Sequence, residues 1–455
     1  MELSVIILAA GQGRRMRSEL PKVLQSLAGR PLLTHVLDTA ANLDASDVTV
    51  VYGHGGDSVK TACDIADLRW VLQAEQLGTG HAVQQAIPDT PDNNRVLVLF
   101  GDVPLLTTAT LKRLIAGTPA DAVSILSVDL DDPTGYGRIV RRGDDVTGIV
   151  EHKDASEQQQ RITEINTGVM LSPAAKLRRW LDDLGNDNAQ GEYYLTDIVG
   201  MAVQEGVTVK GIKADNWVEV MGINDKKQLA EAERALQARL VDELMTEGVG
   251  FADPARVDIR GTLTCGKEVF IDVNAVFEGD VSLGDGTRIE SNNLVRDSNL
   301  GAGTILHSNC HIEGAITGDN CEIGPFARMR PGAELANNVK IGNFVEVKKS
   351  TIADGSKVNH LTYIGDAEIG TGVNVGAGTI TCNYDGANKY KTTIGDNVFI
   401  GSNVNLVAPV EVGDSASIGA GSTISKPAPA NELTVARARQ VTVKGWKKPT
   451  KKGTD

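Results

Sequence analysis

From about Gly250 onward, apolar residues recur at every sixth position. Ile394, Ile400, Leu406, Val412, Ile418 and Ile424 form one run, and Ile323, Met329, Leu335, Ile341 and Val347 form another. Shorter fragments precede them: Val257, Leu263 and Val269, then Leu283, Ile289 and Val295. Glycine often follows the apolar residue, as in Ile341-Gly342, Ile394-Gly395 and Val412-Gly413. A period of six fits neither the 3.6 spacing of an amphipathic helix nor the alternation of a half-buried strand. It is the signature of a parallel β-helix. Each hexapeptide makes one flat side, its apolar residue points inward, and small residues turn the corner. Stacked coils bury one another's faces, so the run is expected to stand as one cooperative rod.

The repeat is interrupted at two places. One is Val358-Asn359-His360-Leu361-Thr362-Tyr363-Ile364. The other is the insertion from Cys382 to Lys391, between a repeat ending near Ile380 and one resuming at Ile394. A scaffold with no chemistry would keep the repeat clean. His360 alone reads first as a structural imidazole on a coil corner. An imidazole is nevertheless suited to general-base work, because its intrinsic pKa lies near neutrality.

The first half has a different rhythm. Leu3 to Ile7, Val48 to Tyr52 and Arg95 to Phe100 read as strands, with amphipathic segments from Leu32 to Leu43 and around Ala82 to Ile87. This alternation predicts an α/β domain with a mainly parallel sheet, and ligands in such sheets bind beyond the carboxyl ends of the strands. The first strand runs into Leu8-Ala9-Ala10-Gly11-Gln12-Gly13-Arg14-Arg15-Met16, with Pro21-Lys22 downstream. Gly11 and Gly13 let backbone N–H groups approach an anion, and Arg15 and Lys22 add positive charge. Three further stretches lie at predicted strand ends: Gln73 to Gly80, Phe100 to Leu105, and Gly135 to Ile139. From Asp225 to Glu247, Leu229, Leu236, Leu240 and Leu244 keep a helical period, which predicts a helix joining the two halves.

With 455 residues, two or more domains are expected. A net charge of −14 argues against a general nucleic-acid binder, so anionic ligands need local basic clusters. Cys63, Cys265, Cys310, Cys321 and Cys382 show no C-x-x-C spacing and read as free thiols in a reducing compartment. No signal peptide and no apolar run of membrane-spanning length is read, so a cytoplasmic protein is expected.

The string L-A-A-G-x-G-x-R-M with P-K downstream resembles the signature of sugar-phosphate nucleotidylyltransferases. The resemblance implies that Leu8, Ala9, Ala10, Gly11, Arg15 and Lys22 hold a nucleoside triphosphate, here UTP. It implies contacts to the uracil from Gln73, Gly78 and Thr79, and places Phe100, Gly101 and Asp102 at the nucleotide. Asp102 and Asn224, in Gly222-Ile223-Asn224-Asp225, would hold Mg²⁺. Gly137, Glu151 and Asn166 would bind the sugar. Arg14 departs from the pattern, standing where the family usually has Thr.

From Arg330 to Arg437 the chain resembles hexapeptide acetyltransferases. On that resemblance His360 is the proton acceptor, and Arg330, Lys348, Tyr363, Asn374 and Lys389 hold an amino-sugar phosphate. Ala377, Asn383, Tyr384, Ser402, Ala420 and Arg437 would line the acetyl-CoA site. The family forms left-handed coils and usually assembles as homotrimers, with acyl-CoA sites between subunits. The tail beyond Arg437 carries Arg439, Lys444, Lys447, Lys448, Lys451 and Lys452, and reads mainly as a solvated basic end.

Both halves together resemble the bacterial bifunctional N-acetylglucosamine-1-phosphate uridyltransferase/glucosamine-1-phosphate acetyltransferase family. The resemblance implies a Rossmann-like nucleotidyltransferase domain at 1–226, a helical linker at 227–247 and a left-handed parallel β-helix at 248–455. Glucosamine 1-phosphate would be acetylated first, and the product coupled to UTP with release of pyrophosphate. Three other readings compete. In one the β-helix is only an oligomerisation module. In another it holds zinc through His307, His311 and His360. In the third the whole chain is a non-enzymatic binding module.

Overall fold

The computed structural model describes residues 1–451 apart from His54, Asp64, Ala66 and Asp144, so Lys452 of the basic tail lies outside the described residues. The chain divides into two compact units, Met1–Arg239 and Leu240–Asp455. The division falls within a single helix, Lys226–Thr246, which matches the predicted 225–247 span to within a residue at each end.

In the first unit a sheet runs in the order Val209–Lys213, Val123–Asp129, Glu164–Pro173, Arg95–Phe100, Leu3–Ala9, Asp47–Tyr52, Leu68–Leu72. All neighbours on this path are parallel except Glu164–Pro173, which runs antiparallel to both strands beside it. The sequence shows why the sheet is covered on both faces. Successive side chains of a strand point to opposite sides, so a continuous apolar run feeds two cores. Val5, Ile7 and Ala9 enter one core with Leu97 and Leu99. Ile6 and Leu8 enter the other with Val96 and Val98. The helix Leu32–Ala41 closes the first face with Leu33, Val36, Leu37 and Ala40. The helix Thr79–Ala86 closes the second with Ala82, Val83 and Ala86.

The second unit is a parallel β-helix of short strands. One ladder stacks Phe270–Ile271, Arg288–Ile289, Ile305–Leu306, Glu322–Ile323, Lys340–Asn343, Lys357–His360, Asn374–Val375 and Phe399–Ile400. A second, interlinked sheet supplies the other walls. Typical cross-coil partners, such as Arg260 and Glu278, lie 18 residues apart in sequence, which is three hexapeptides. The residues of the two long period-six runs are buried in one continuous core. Each fully buried Ile, Leu or Val side chain contributes about 1.5–3 kcal/mol, so the core is the main support of the stack. Leu263 differs and is only partly buried. Its strand, Val257–Cys265, is the edge of its sheet and has a coil stacked on one side only.

The corners use the left-handed backbone region. Asn274, Asn292, Asn309, Asn320, Asn338 and Asn403 all have positive φ, and Asn is among the residues that adopt it most readily. Consecutive corners are tied together where Asn274 Nδ2 donates to Asn292 Oδ1 at 2.8 Å. Phe326, Phe344 and Leu361 take the same conformation with bulky side chains and remain exposed. The Phe326 and Phe344 rings stack, 5.2 Å between centroids and 12° between planes.

Candidate active sites

In the first unit Leu8, Ala9, Ala10, Gly11, Lys22, Gln73, Gly78, Thr79, Phe100 and Asp102 line one cleft of about 540 Å³. They come from the carboxyl ends of neighbouring parallel strands and from the turns that follow them, where an α/β sheet presents its loops. Gly13 begins the turn Arg14–Met16 at φ 61°, and buried Met16 anchors that turn. A Cβ on Gly13 would lie 2.7 Å from Lys22 Cβ, so the glycine permits the close approach of Lys22. The tight fit continues at Gly101, where an added Cβ would press on Ala9, Leu33 and Val23.

Asp102 and Asn224 lie far apart in sequence and converge on one cation. Lys22 Nζ donates to Asp102 Oδ2 in an ion pair and to Asn224 Oδ1 at 3.3 Å. The Ile223 N–H donates to the Asp102 carbonyl at 2.9 Å, which ties the Gly222–Asn224 turn to the end of strand Arg95–Phe100. Arg15 is exposed and acts electrostatically on Tyr136 and Asp225. Burial pushes the Tyr136 phenol up, while Arg15 opposes the shift and Asp102 adds to it.

Gly137, Glu151 and Asn166 form an adjoining group. The Asn166 N–H donates to the Gly137 carbonyl at 2.8 Å. A Cβ on Gly137 would stand 3.2 Å from Glu151 Oε1. Gly168, two residues beyond Asn166, lies against the Phe100 ring and links this group to the cleft. Glu151 Oε1 accepts a hydrogen bond from Thr196 Oγ1 at 3.1 Å. Burial pushes the Glu151 carboxyl up, Thr196 opposes this, and Asp197 and Asp154 add to it. Sequence reasoning missed Gln12, Arg14, Gln76, Glu192 and Thr196 at these sites. They are isolated polar residues in turns, and only the unusual Arg14 gave a signal.

In the β-helix, His360 ends the strand Lys357–His360 in register with Asn343 one coil earlier. Its Nδ1 lies 2.8 Å from Asn343 Oδ1. The following coils carry the expected coenzyme residues in file along the same corner. Gly378 N–H donates to the His360 carbonyl, Asn403 N–H to Ala377, and Gly421 N–H to Ser402. Arg437 Nη1 donates to the Ala420 carbonyl at 2.6 Å. Thus Ala377, Ser402, Ala420 and Arg437 form a row leading away from the imidazole.

Arg330, Lys348, Tyr363, Asn383 and Lys389 make a neighbouring group. Arg330 pairs with Glu346 at 2.8 Å, and Lys348 lies 3.8 Å from Asp366. Asn383 Nδ2 bonds Asp366 and lies 3.4 Å from the Tyr363 hydroxyl. Lys348 holds the Lys389 ammonium below the usual lysine range, with Asp366 and Tyr363 opposing. Two ammonium groups pressed together suit an anionic ligand. The insertion that delivers Lys389 is a short excursion closed by a Tyr384–Lys389 bridge and an Asp385 turn onto Ala387 and Asn388. Asn374 is placed apart from this group, on the other sheet in register with Lys357 and Phe399.

The histidines of the zinc reading do not come together. His307 lies between Glu290 and Glu322, His311 lies on another ladder beside Glu313, and His360 faces Asn343. Among the described residues no group of three or more His, Cys, Asp or Glu could hold a metal ion.

A glycine-loop nucleotide cleft on a mostly parallel sheet, followed by a hexapeptide β-helix with a histidine corner, defines a two-domain transferase. The description "MobA-like NTP transferase domain" matches residues 5–142, and "Bacterial transferase hexapeptide (six repeats)" matches residues 314–349 and 391–426. "Bifunctional protein GlmU" of Azoarcus sp. (strain BH72) is 57% identical over 450 residues, covering 99% of this chain and 100% of that protein. The protein of the same name from Aromatoleum aromaticum is 57% identical over 451 residues, covering 99% of each chain. The one from Idiomarina loihiensis is 55% identical over 456 residues and covers 100% of both. The chain belongs to the GlmU family of bifunctional enzymes, with a nucleotidyltransferase domain followed by hexapeptide acetyltransferase repeats.

Proposed function

We propose that the two sites act in series on one sugar phosphate, in the reverse of their chain order, with domain limits at 1–226, 227–247 and 248–455. The β-helix site transfers the acetyl group of acetyl-CoA to the amine of glucosamine 1-phosphate. The amine attacks the thioester carbonyl, its proton passes to His360 Nε2, and coenzyme A leaves. Asn343 Oδ1 accepts from His360 Nδ1–H, which leaves Nε2 free to take that proton. Lys348, Lys389 and Arg330, with Tyr363 and Asn374, bind the sugar phosphate. Ala377, Asn383, Tyr384, Ser402, Ala420 and Arg437 receive the coenzyme.

The first unit then couples N-acetylglucosamine 1-phosphate to UTP. A phosphate oxygen of the sugar attacks the α-phosphorus, and pyrophosphate leaves. Gln73, Gly78 and Thr79 hold the uracil, and Gly137, Glu151 and Asn166 bind the sugar. Arg15 and Lys22 position and neutralise the phosphates. The hard oxygens of Asp102 and Asn224 already gather one cation, the Lys22 ammonium, and suit magnesium. When bound there, Mg²⁺ supplies further charge neutralisation at the phosphate oxygens.

A homotrimer is the proposed assembly, with each acetyl-transfer site completed by a neighbouring copy. Two features support it: Asn374 lies on a different sheet from the lysines it would work with, and Phe326, Phe344 and Leu361 expose apolar side chains close to His360 in the stack. No helix among the described residues is long and apolar enough to cross a membrane. On the ground of its proposed cosubstrates, UTP and acetyl-CoA, we place the enzyme in the cytoplasm.

The observation that carries this reading is the presence in one chain of the Asp102–Lys22–Asn224 cleft and the His360–Asn343 corner. Two assays on the purified protein test it. One supplies glucosamine 1-phosphate and acetyl-CoA and follows free thiol. The other supplies N-acetylglucosamine 1-phosphate, UTP and Mg²⁺ and follows pyrophosphate. Activity in both is expected. Pyrophosphate without thiol would reduce the β-helix to a scaffold.

A further inference from the structure

Arg14, which the family pattern does not assign, lines the nucleotide cleft, whereas Arg15, to which the pattern gives the phosphates, is not among the lining residues. Arg14 and Arg15 are adjacent on one short turn anchored by Met16, yet they serve different surroundings. Arg15 acts on Tyr136 and Asp225, toward the Asp102–Asn224 and sugar-binding groups. Arg14 lines the nucleotide cleft with Leu8 to Gly11, Lys22 and Gln73. Lys22 is already engaged with Asp102, whereas Arg14 has no ion pair among the described residues. Its positive charge is therefore not neutralised by a direct ion pair, although Glu192 lines the same cleft.

Its side chain is also held in place. Arg14 Nε donates to Gln12 Oε1 at 2.9 Å. Gln12 Nε2 donates to Gln76 Oε1 at 3.3 Å, and Gln76 Nε2 to the Gln73 carbonyl at 3.1 Å. Gln73 Nε2 in turn donates to the Gly78 carbonyl at 3.1 Å. This amide chain runs from the glycine loop to the loop expected to hold the base. It has room because residue 53 is glycine, where a Cβ would lie 2.8 Å from Gln76 Nε2. Tying Nε to Gln12 fixes the plane of the guanidinium and leaves both Nη groups to meet two oxygens of a phosphoryl group.

Resting on the uridylyl-transfer reading, we propose that Arg14 binds the β- and γ-phosphoryl groups of UTP, the part that leaves as pyrophosphate. Gln12 is its positioning residue. The sugar phosphate is not its ligand, since Gly137, Glu151 and Asn166 do not line the part of the cleft that Arg14 shares. The hydroxyl of the threonine usual here reaches less far and carries no charge.

The test uses the full chain with Arg14→Thr, Arg14→Lys and Gln12→Glu, each assayed in both directions. Arg14→Thr should raise KM about tenfold for UTP and, in the reverse reaction from UDP-N-acetylglucosamine, about tenfold for pyrophosphate. KM for N-acetylglucosamine 1-phosphate should stay within about twofold. Arg14→Lys, a point charge without the fork, should recover part of the loss. Gln12→Glu, which places a carboxylate on the guanidinium, should reproduce the loss. Thermal unfolding of each variant that matches the unaltered chain, with KM for N-acetylglucosamine 1-phosphate retained, shows that the first unit is intact. Unchanged KM for UTP and pyrophosphate in Arg14→Thr overturns the proposal, as does a rise confined to the sugar phosphate. Failure of the underlying reading would look different, since the unaltered protein would then release no pyrophosphate from UTP.

Discussion

His360 Nδ1 and Asn343 Oδ1 meet at 2.8 Å across two successive coils, on residues paired in register by the ladder itself. The imidazole is therefore aimed by the strand stacking and by one neutral acceptor, with no carboxylate among the described residues as its direct hydrogen-bond partner. Asn343→Ala is expected to lower kcat for acetyl transfer about tenfold, the worth of one lost orienting hydrogen bond. His360→Ala should lose about 10²–10⁴-fold. Thiol release measures both, and pyrophosphate release should be unchanged in each.

Asp102→Ala should do the reverse. Removing the carboxylate frees the Lys22 ammonium from its partner and takes away an oxygen suited to magnesium. Uridylyl transfer should fall below detection while acetyl transfer stays at its original rate. Loss of both activities in a folded protein would contradict two separate sites.

Glu151 links pH to stability and to sugar recognition. Burial first, and Asp197 and Asp154 after it, raise its carboxyl above the unfolded value, with Thr196 pulling the other way. A raised carboxyl contributes stability below the unfolded pKa and loses it as pH rises through the folded pKa. Glu151→Gln should therefore gain in Tm relative to the original chain as pH rises through that interval, with the gain absent at low pH. The same variant should show a higher KM for N-acetylglucosamine 1-phosphate.

Gly342 is a place where the coil admits no side chain. A Cβ there would lie 1.9 Å from the Asn359 carbonyl, one residue before His360. Gly342→Ala must push the two coils apart and should cost about 1–3 kcal/mol or more. Thermal unfolding measures that loss, and acetyl transfer should fall with it because the Asn343–His360 bond depends on the same spacing.

The thiols should be quiet in the native protein. Burial pushes Cys310 and Cys265 up to about 11 and raises Cys63, Cys321 and Cys382 as well. The thiolate is the reactive form, so a disulfide reagent near neutral pH should label the native chain slowly and all five cysteines rapidly after denaturation. Rapid labelling of Cys310 in the native state would show that its coil opens.

Periodic signals were the legible ones. Ile323, Met329 and Ile400 could be placed in the core because a six-residue spacing has one simple structural solution, and the apolar run at Leu3 to Ile7 announced a strand buried on both faces. The glycine loop, Asp102 and His360 were legible as motifs. Thr196, Gln76 and Asn343 were not, since each acts through a partner distant in sequence and belongs to no repeating pattern. Leu263 obeyed the period and is still only partly buried, although Val257 and Ile259 on the same strand are fully buried.

The excursion carrying Tyr384 and Lys389 adds residues without disturbing the ladder. Thr371 bonds Asp396 across 25 positions, and the strands on either side keep their pairing, Ala367 with Thr392 and Ile369 with Ile394. Lys389 is thereby delivered by a stretch the ladder does not need, while Lys348, Tyr363 and His360 stand on the ladder strands themselves. A new recognition element can be grafted at that point, longer or shorter, while the coils beneath remain a fixed chassis. Length and sequence at that point are thus free to vary without re-registering a single strand above or below it.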